Sequence, residues 1–364
     1  MSRALVLIAL AAGAWLFSAA ASAEPHLAVQ TGFKCRQCHT DPTGGGKRNA
    51  YGAAYALNEL AARVVGEPDD AWTGEINRWV GLGGDLRARL DYDDTPGADE
   101  RNELGLSRAT LYAELRAVPG LLSFYVDEQV APGGALARQA FALITPGDGR
   151  YWIKAGKLFL PFGWRLEDDG ALVRQATGIN MTTPDYGVEL GFDGAQWSTQ
   201  VALTNGTASG PENDTGKQIA ARAEYVRPRW RAGASLSANN AALGDREMLG
   251  LFAGVRTGPI AWLFELDAIR DEVPAMPGGE LDGAVSLIEG NWRFGRGHNL
   301  KVSYDYYDPN DDGDDDERER VSVVWEYSPF QFVQARVGAR RYDGVDAIPA
   351  TNRNEVFAEL HAFF

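Results

Sequence analysis

The chain is poor in the residues that usually carry metal and redox chemistry, with two cysteines, four histidines and four methionines in 364 residues. No apolar run beyond the N-terminus approaches the ~20 residues of a membrane-crossing helix. That excludes a helical membrane protein but leaves a β-barrel open, because barrel strands alternate. Basic residues are also outnumbered. The 35 Lys and Arg against 50 Asp and Glu leave a net charge of -15, the opposite of the basic stripe that nucleic acid requires. Ser-His-Asp arrangements, phosphate-cradling glycine loops and paired-carboxylate motifs are missing as well, so an ordinary hydrolase is not expected.

Residues 1–23 read as a secretory signal, with Arg3, an apolar segment from Ala4 to Phe17, and small residues at Ala21-Ser22-Ala23. The expected mature start is Glu24, in a compartment where two cysteines could simply form a disulfide. Both cysteines instead stand in Cys35-Arg36-Gln37-Cys38-His39. The C-x-x-C-H spacing is specific, since each thiol adds across one porphyrin vinyl group and the adjacent imidazole reaches the iron. A redox dithiol would need a βαβ setting, and zinc a second ligand pair nearby; neither follows in the sequence. One covalent heme c is therefore predicted on Cys35 and Cys38, with His39 as its iron ligand. The haem segment, 24–74, runs through Gly44-Gly45-Gly46 into a short helix from Tyr51 to Val65, where Tyr51, Tyr55, Leu57 and Leu60 are candidates to cover the ring. At about fifty residues it is small for an independent core and should lean on its neighbour.

From Ile76 onward the chain alternates with period two. Val80, Leu82, Leu86, Leu90 and Tyr92 share one face, and Asp85, Arg87, Arg89 and Asp91 the other. Ile219, Ala221, Ala223 and Tyr225 alternate in the same way with Arg222 and Glu224; so do Leu300 to Tyr306 and Val321 to Tyr327. Aliphatics outward and charges inward is the outer-membrane pattern, inverted relative to a soluble sandwich. Tight turns alternate with longer polar loops and delimit about sixteen strands, an even number, with short turns on the periplasmic side. The fold class is thus mainly β: an antiparallel outer-membrane barrel over 75–364, preceded by a small α-helical haem segment on the periplasmic side or inside the barrel.

Several stretches carry resemblances. The face formed by Val356, Ala358, Leu360, Ala362 and Phe364 looks like the C-terminal strand of bacterial outer-membrane proteins. Lys154 to Gly163 and Val201 to Thr207 resemble phosphate- and polyphosphate-selective porins, which bears on architecture only, since no matching lysine ladder is visible. The whole layout resembles the fused monohaem cytochrome–porins of the outer membrane. That resemblance implies outer-membrane electron transfer, to or from extracellular iron, rather than conventional enzyme activity. Its implied partners are outer-membrane lipid, a periplasmic cytochrome or other redox carrier, and an extracellular metal or redox partner. A solute porin whose cytochrome segment docks, plugs or senses is the alternative.

Strand counting puts Met181 and Met276 in external loops and Met248 near the outside, far from a periplasmic haem. His361 and His26 are then the leading candidates for the second axial ligand, with His298 third. The loop from Asp308 to Glu319 matches the calcium pattern D-x-[DN]-x-[DN]-G-x5-E. Asp308, Asn310, Asp312, Asp314 and Glu319 are its candidate Ca2+ ligands, although strands flank the loop where helices would be usual. The longest loop, Arg165 to Asp185, could fold inward to narrow the pore. Its Glu167, Asp168 and Asp169 read more readily as surface charge.

Overall fold

The computed structural model describes residues 24–67, 71–212, 214–242, 244–273 and 279–364. The signal sequence and Met276 lie outside the described residues. Eight strands form the first half of the chain: β1 (Val80–Asp94), β2 (Arg101–Val118), β3 (Leu122–Ala131), β4 (Leu136–Ile144), β5 (Tyr151–Leu158), β6 (Asp185–Asp193), β7 (Trp197–Thr204) and β8 (Gln218–Val226). The second half adds β9 (Trp230–Asn239), β10 (Arg246–Thr257), β11 (Ile260–Glu272), β12 (Glu280–Gly295), β13 (His298–Asp308), β14 (Arg318–Tyr327), β15 (Val333–Asp343) and β16 (Arg353–Phe363). Each pairs antiparallel with its sequence neighbours. Strand β1 then meets β16 to close the barrel, with Leu86 opposite Ala362 and Ala88 opposite Leu360. Closure leaves no unpaired edge, the condition for crossing lipid with strands. Gly84 and Phe364 exchange both backbone hydrogen bonds at 3.0 Å, fastening the C-terminus into the seam.

The alternation fixes the faces. Leu86, Leu203, Leu251, Val302 and Val356 are exposed on the outer wall, whereas Asp85, Arg87, Arg231, Glu289 and His361 are buried inside. Aromatic side chains gather outside the short-turn end. Trp197 packs edge-on against Tyr225 at 5.0 Å, and His298 stacks on Tyr327 at 4.3 Å, as expected where a barrel meets a membrane interface.

The lumen is filled. Helix α1 (Pro25–Thr31) begins on a proline suited to a first helical turn and ends at Gly32, whose φ of 75° needs no Cβ. A single 3-10 turn, Cys35–Gln37, carries the first cysteine. Helix α2 (Ala50–Tyr55) follows and widens into a π-helical turn over Ala56–Leu60. The helix predicted from Tyr51 to Val65 thus stops early. Its continuation is claimed by the barrel, because Ala62 and Arg63 donate to the carbonyls of Ser328 and Pro329 in the β14–β15 turn. All three pieces lie at the short-turn end: Gly32 abuts Pro228, and Lys34 Nζ donates to the carbonyls of Gly194 and Trp197 at 2.5 and 2.8 Å.

From the opposite end the 159–184 loop folds inward. Its helix α3 (Leu172–Thr177) and residues Phe162, Trp164, Leu166 and Ile179 form an apolar core inside the barrel with Leu263, Val285 and Leu287 of the wall. The strand pattern predicts charged inner faces. These apolar loop residues depart from it because the only dry space open to them is the interior.

Candidate functional site

The motif is built from backbone outward. Asn49 caps α2, accepting the Gly52 N–H at 2.9 Å. Its amide nitrogen reaches back to the carbonyls of Arg36, Gln37 and His39 at 3.1–3.3 Å. One side chain therefore ties the cap of α2 to the cysteine turn. The Asn49 N–H also donates to the Cys38 carbonyl at 3.0 Å, and α2 approaches so closely there that a Cβ on Gly52 would overlap that oxygen. Cys35, Cys38 and His39 all line one cavity of about 1010 Å3, part of it open to solvent.

The donor set suits a c-type haem. Both thiols are free, and burial pushes each up, so they sit protonated. Burial, and then the Arg48 guanidinium, push His39 down to about 4, which leaves the neutral imidazole that iron ligation requires. His39 Nδ1 is buried without a hydrogen-bond partner. Leu27, Phe33, Tyr55, Leu60, Phe162 and Trp164 give the cavity apolar walls. Arg222 and Arg231 share the single carboxylate of Glu224 at 2.7 Å, leaving surplus positive charge on the wall for a group that carries propionates. Of the four apolar candidates, Tyr55 and Leu60 reach this cavity; Leu57 lines a neighbouring one, and Tyr51 is exposed.

Asp41, two residues beyond the motif, anchors the segment in mid-barrel. It accepts from Lys154 at 2.7 Å and from Gln139 at 3.0 Å. Although burial opposes it, Lys154 and then Arg165 hold its carboxyl at about 2. Lys154 also pairs Glu189 at 3.0 Å and donates to Thr43 Oγ1 at 2.8 Å. The inward loop grips the same segment. Arg165 donates to the Thr43 carbonyl at 3.1 Å and to the Gly44 carbonyl at 2.8 Å.

The loop carboxylates are not surface charge. Glu167 pairs Arg87 and Arg108 at 2.9 and 2.8 Å, Asp168 pairs Arg320 and Arg340, and Asp169 reaches Arg108 at 3.4 Å. Folding the loop inward also moves Met181. It is 2 % exposed and lines the cavity with His39, so strand counting misplaced it at the external surface.

The three candidate histidines lie elsewhere. His361 points into the lumen as its phase predicts, but its Nε2 is 2.8 Å from Asp85 Oδ2. His298 sits in the outer aromatic stack, because as the first residue of β13 it takes the lipid-side phase of Trp325 and Tyr327. His26 is buried beside Glu24 and Glu289, with ligand atoms of all three within 4.8 Å of one another. Lys301 already pairs Glu24 in that cluster. None of the three is among the lining residues of the haem-motif cavity.

The calcium candidates do not converge. Asp308 closes β13, and Glu319 lies in β14 opposite Tyr306, two residues before Asp308. Among the described residues, Glu24, His26 and Glu289 are the one group of three or more His, Cys, Asp or Glu close enough to hold an ion. Asp308, Asn310, Asp312, Asp314 and Glu319 therefore form no preassembled Ca2+ cage.

No family model matches the chain, and no curated protein matches it in sequence. Solved structures match its fold. A loop-deletion form of OmpT, an outer membrane protein of Vibrio cholerae, superposes with a TM-score of 0.63 at 14% identity, covering 78% of this chain and 99% of that one. An anion-selective porin from Comamonas acidovorans gives 0.61 at 12% identity, with 78% and 99% covered. The outer membrane channel DcaP of Acinetobacter baumannii gives 0.59 at 12%, with 78% and 97% covered. The chain thus has the closed, antiparallel sixteen-stranded fold of bacterial outer-membrane porins.

Proposed function

We propose that this protein carries electrons through the outer membrane on a single c-type haem held inside the barrel, between an extracellular and a periplasmic redox partner. One observation carries the reading: Cys35, Cys38 and His39 line a cavity within the lumen, enclosed by the inward loop. The covalently bound group would supply one-electron chemistry by cycling its iron between ferrous and ferric. The chain does the rest. Cys35 and Cys38 hold the porphyrin, His39 ligates the iron, and Asn49 fixes the turn that presents them. Leu27, Leu60 and Trp164 exclude water, and Arg222 and Arg231 offer cationic partners to propionates.

Depth decides whether one haem suffices. The lipid-spanning band of such barrels is ~25 Å tall. A group lodged between the short-turn mouth and the inward loop leaves less of that span to cross than one outside. Acidic residues of the 308–319 loop favour the approach of metal cations, ferrous iron among them, by simple electrostatics.

A second reading is favoured by the likeness of the fold to porins and channels: a solute pore in which the cytochrome segment is a plug, docking or sensing element. The packed lumen argues against an open path, because Lys154, Glu189, Asn291, Asp305 and His361 are buried where a pore would be wetted. Reconstitution separates the two. Haem-loaded protein in liposomes should reduce an enclosed acceptor from an external donor; ion conduction without electron transfer would select the porin.

A further inference from the structure

We propose that Met181, from the inward-folded barrel loop, supplies the iron's second axial ligand opposite His39. The inference rests on covalent haem attachment at Cys35 and Cys38. Among the described residues lining the cavity, His39 and Met181 are the only histidine and methionine. Three charged lining donors are engaged. Lys34 is held by two backbone carbonyls, and Glu224 by two arginines. Glu24 is paired with Lys301. A thioether is also the softer, neutral donor that haem iron accepts without burying another charge.

The loop is constructed to keep that thioether in place. Met181 is 2 % exposed even though it belongs to the longest connection in the barrel. Its N–H donates to Asp169 at 3.4 Å, and Asp169 is itself fixed by Arg108 of β2. Arg165, at the start of the same loop, is clamped on Thr43 and Gly44 of the haem segment. Next along that segment, a Cβ built on Gly45 would stand 3.9 Å from the Met181 methyl group and 3.8 Å from Arg165 Cδ. The Met181 methyl group thus lies just beyond the bare Gly45 backbone, on the stretch that Arg165 grips.

Two consequences follow. A histidine–methionine pair raises the potential above that of a histidine pair, which suits a carrier accepting electrons from weak donors. The ligand also comes from the barrel, so the haem segment completes its coordination only when docked in the lumen.

The test uses full-length, haem-loaded protein. Covalent haem is quantified on denatured protein in every variant, and barrel folding is checked by heat-dependent gel mobility. The unsubstituted oxidised protein should be low-spin and show a sulfur-to-iron charge-transfer band. Met181→Ala should lose that band, gain a high-spin signal and bind added imidazole. Met181→His should stay low-spin without the band, at a lower potential. A bis-histidine or five-coordinate spectrum in the unsubstituted protein, or a band that survives Met181→Ala, overturns the assignment while leaving attachment intact. Absence of covalent haem from folded protein overturns both.

Discussion

Gly52 has no room for even a methyl group against the Cys38 carbonyl, and it sits in the first turn of the helix that Asn49 caps. Gly52→Ala should therefore push α2 off the cysteine turn and cut covalent haem incorporation severalfold, with the barrel still folded. Undiminished haem content would show that α2 does not shape the attachment site. Asn49→Ala removes a cap worth about 1 kcal/mol and three further bonds to the turn, so its haem should stay covalently attached while the native haem spectrum is lost at a lower temperature than in the unsubstituted protein. At this scale the sequence was legible where chemistry demands fixed spacing. Cys35, Cys38 and His39 announce themselves in five consecutive residues. Asn49 and Gly52 do not, because their roles exist only once α2 folds back on the motif.

Met181 was illegible for a related reason. Counting strands assigns a residue to a loop, but not the direction in which the loop folds. A signal was present in Leu158-Phe159-Leu160-Pro161-Phe162 and Leu172-Val173, apolar runs too rich for an external loop. Such residues must be buried somewhere, and a barrel offers its lumen.

Among elements, the inward loop and the haem segment depend on a few buried ion pairs. Lys154 is fully buried between Asp41 and Glu189, so removing it leaves Glu189 without a cation and Asp41 with only the more distant Arg165. Lys154→Met should cost about 3–5 kcal/mol, read as easier proteolysis of the 24–67 segment in folded barrels; unchanged resistance would contradict the anchoring role. The loop behaves differently with acid. Asp168 is buried, but Arg320 and then Arg340 outweigh that burial and hold its carboxyl well below the ordinary range. A depressed carboxylate contributes stability that is fully present above its unfolded value near ~4. That contribution fades as pH falls through the lower, folded value. Loop docking should accordingly persist from pH 7 to about 4 and weaken only in stronger acid. Asp168→Asn should expose the loop to protease across the whole range; equal protection in both proteins would exclude the pair as the clasp.

The elements themselves were largely readable. Sixteen strands and the alternation of short turns with long loops follow from period-two patterning, since a lipid-facing wall tolerates no slip in phase. The reading of Glu167 to Asp169 as surface charge fails because their partners, among them Arg108, Arg320 and Arg340, come from strands far apart in sequence. Long-range pairing of this kind leaves no local trace. The acidic 308–319 loop matches a calcium pattern in spacing, yet no three of its carboxylates stand close enough to share an ion, because the pattern fixes residue types and not the path of the loop.

The whole molecule joins a porin-like wall to a packed interior. A solute pore would leave lumen charges wet, whereas here they pair across the barrel and clamp the segment that carries Cys35, Cys38 and His39. With haem on Cys35 and Cys38, electrons should cross the membrane through that segment. The most direct measurement is electron transfer across liposomes containing oriented, haem-loaded protein, with a membrane-impermeant donor outside and an acceptor enclosed. Reduction of the enclosed acceptor should be rapid, and it should vanish in Cys35→Ala/Cys38→Ala barrels that remain folded. Equal rates in the two proteins, or no transfer by the loaded protein alongside free passage of ions, would contradict the account.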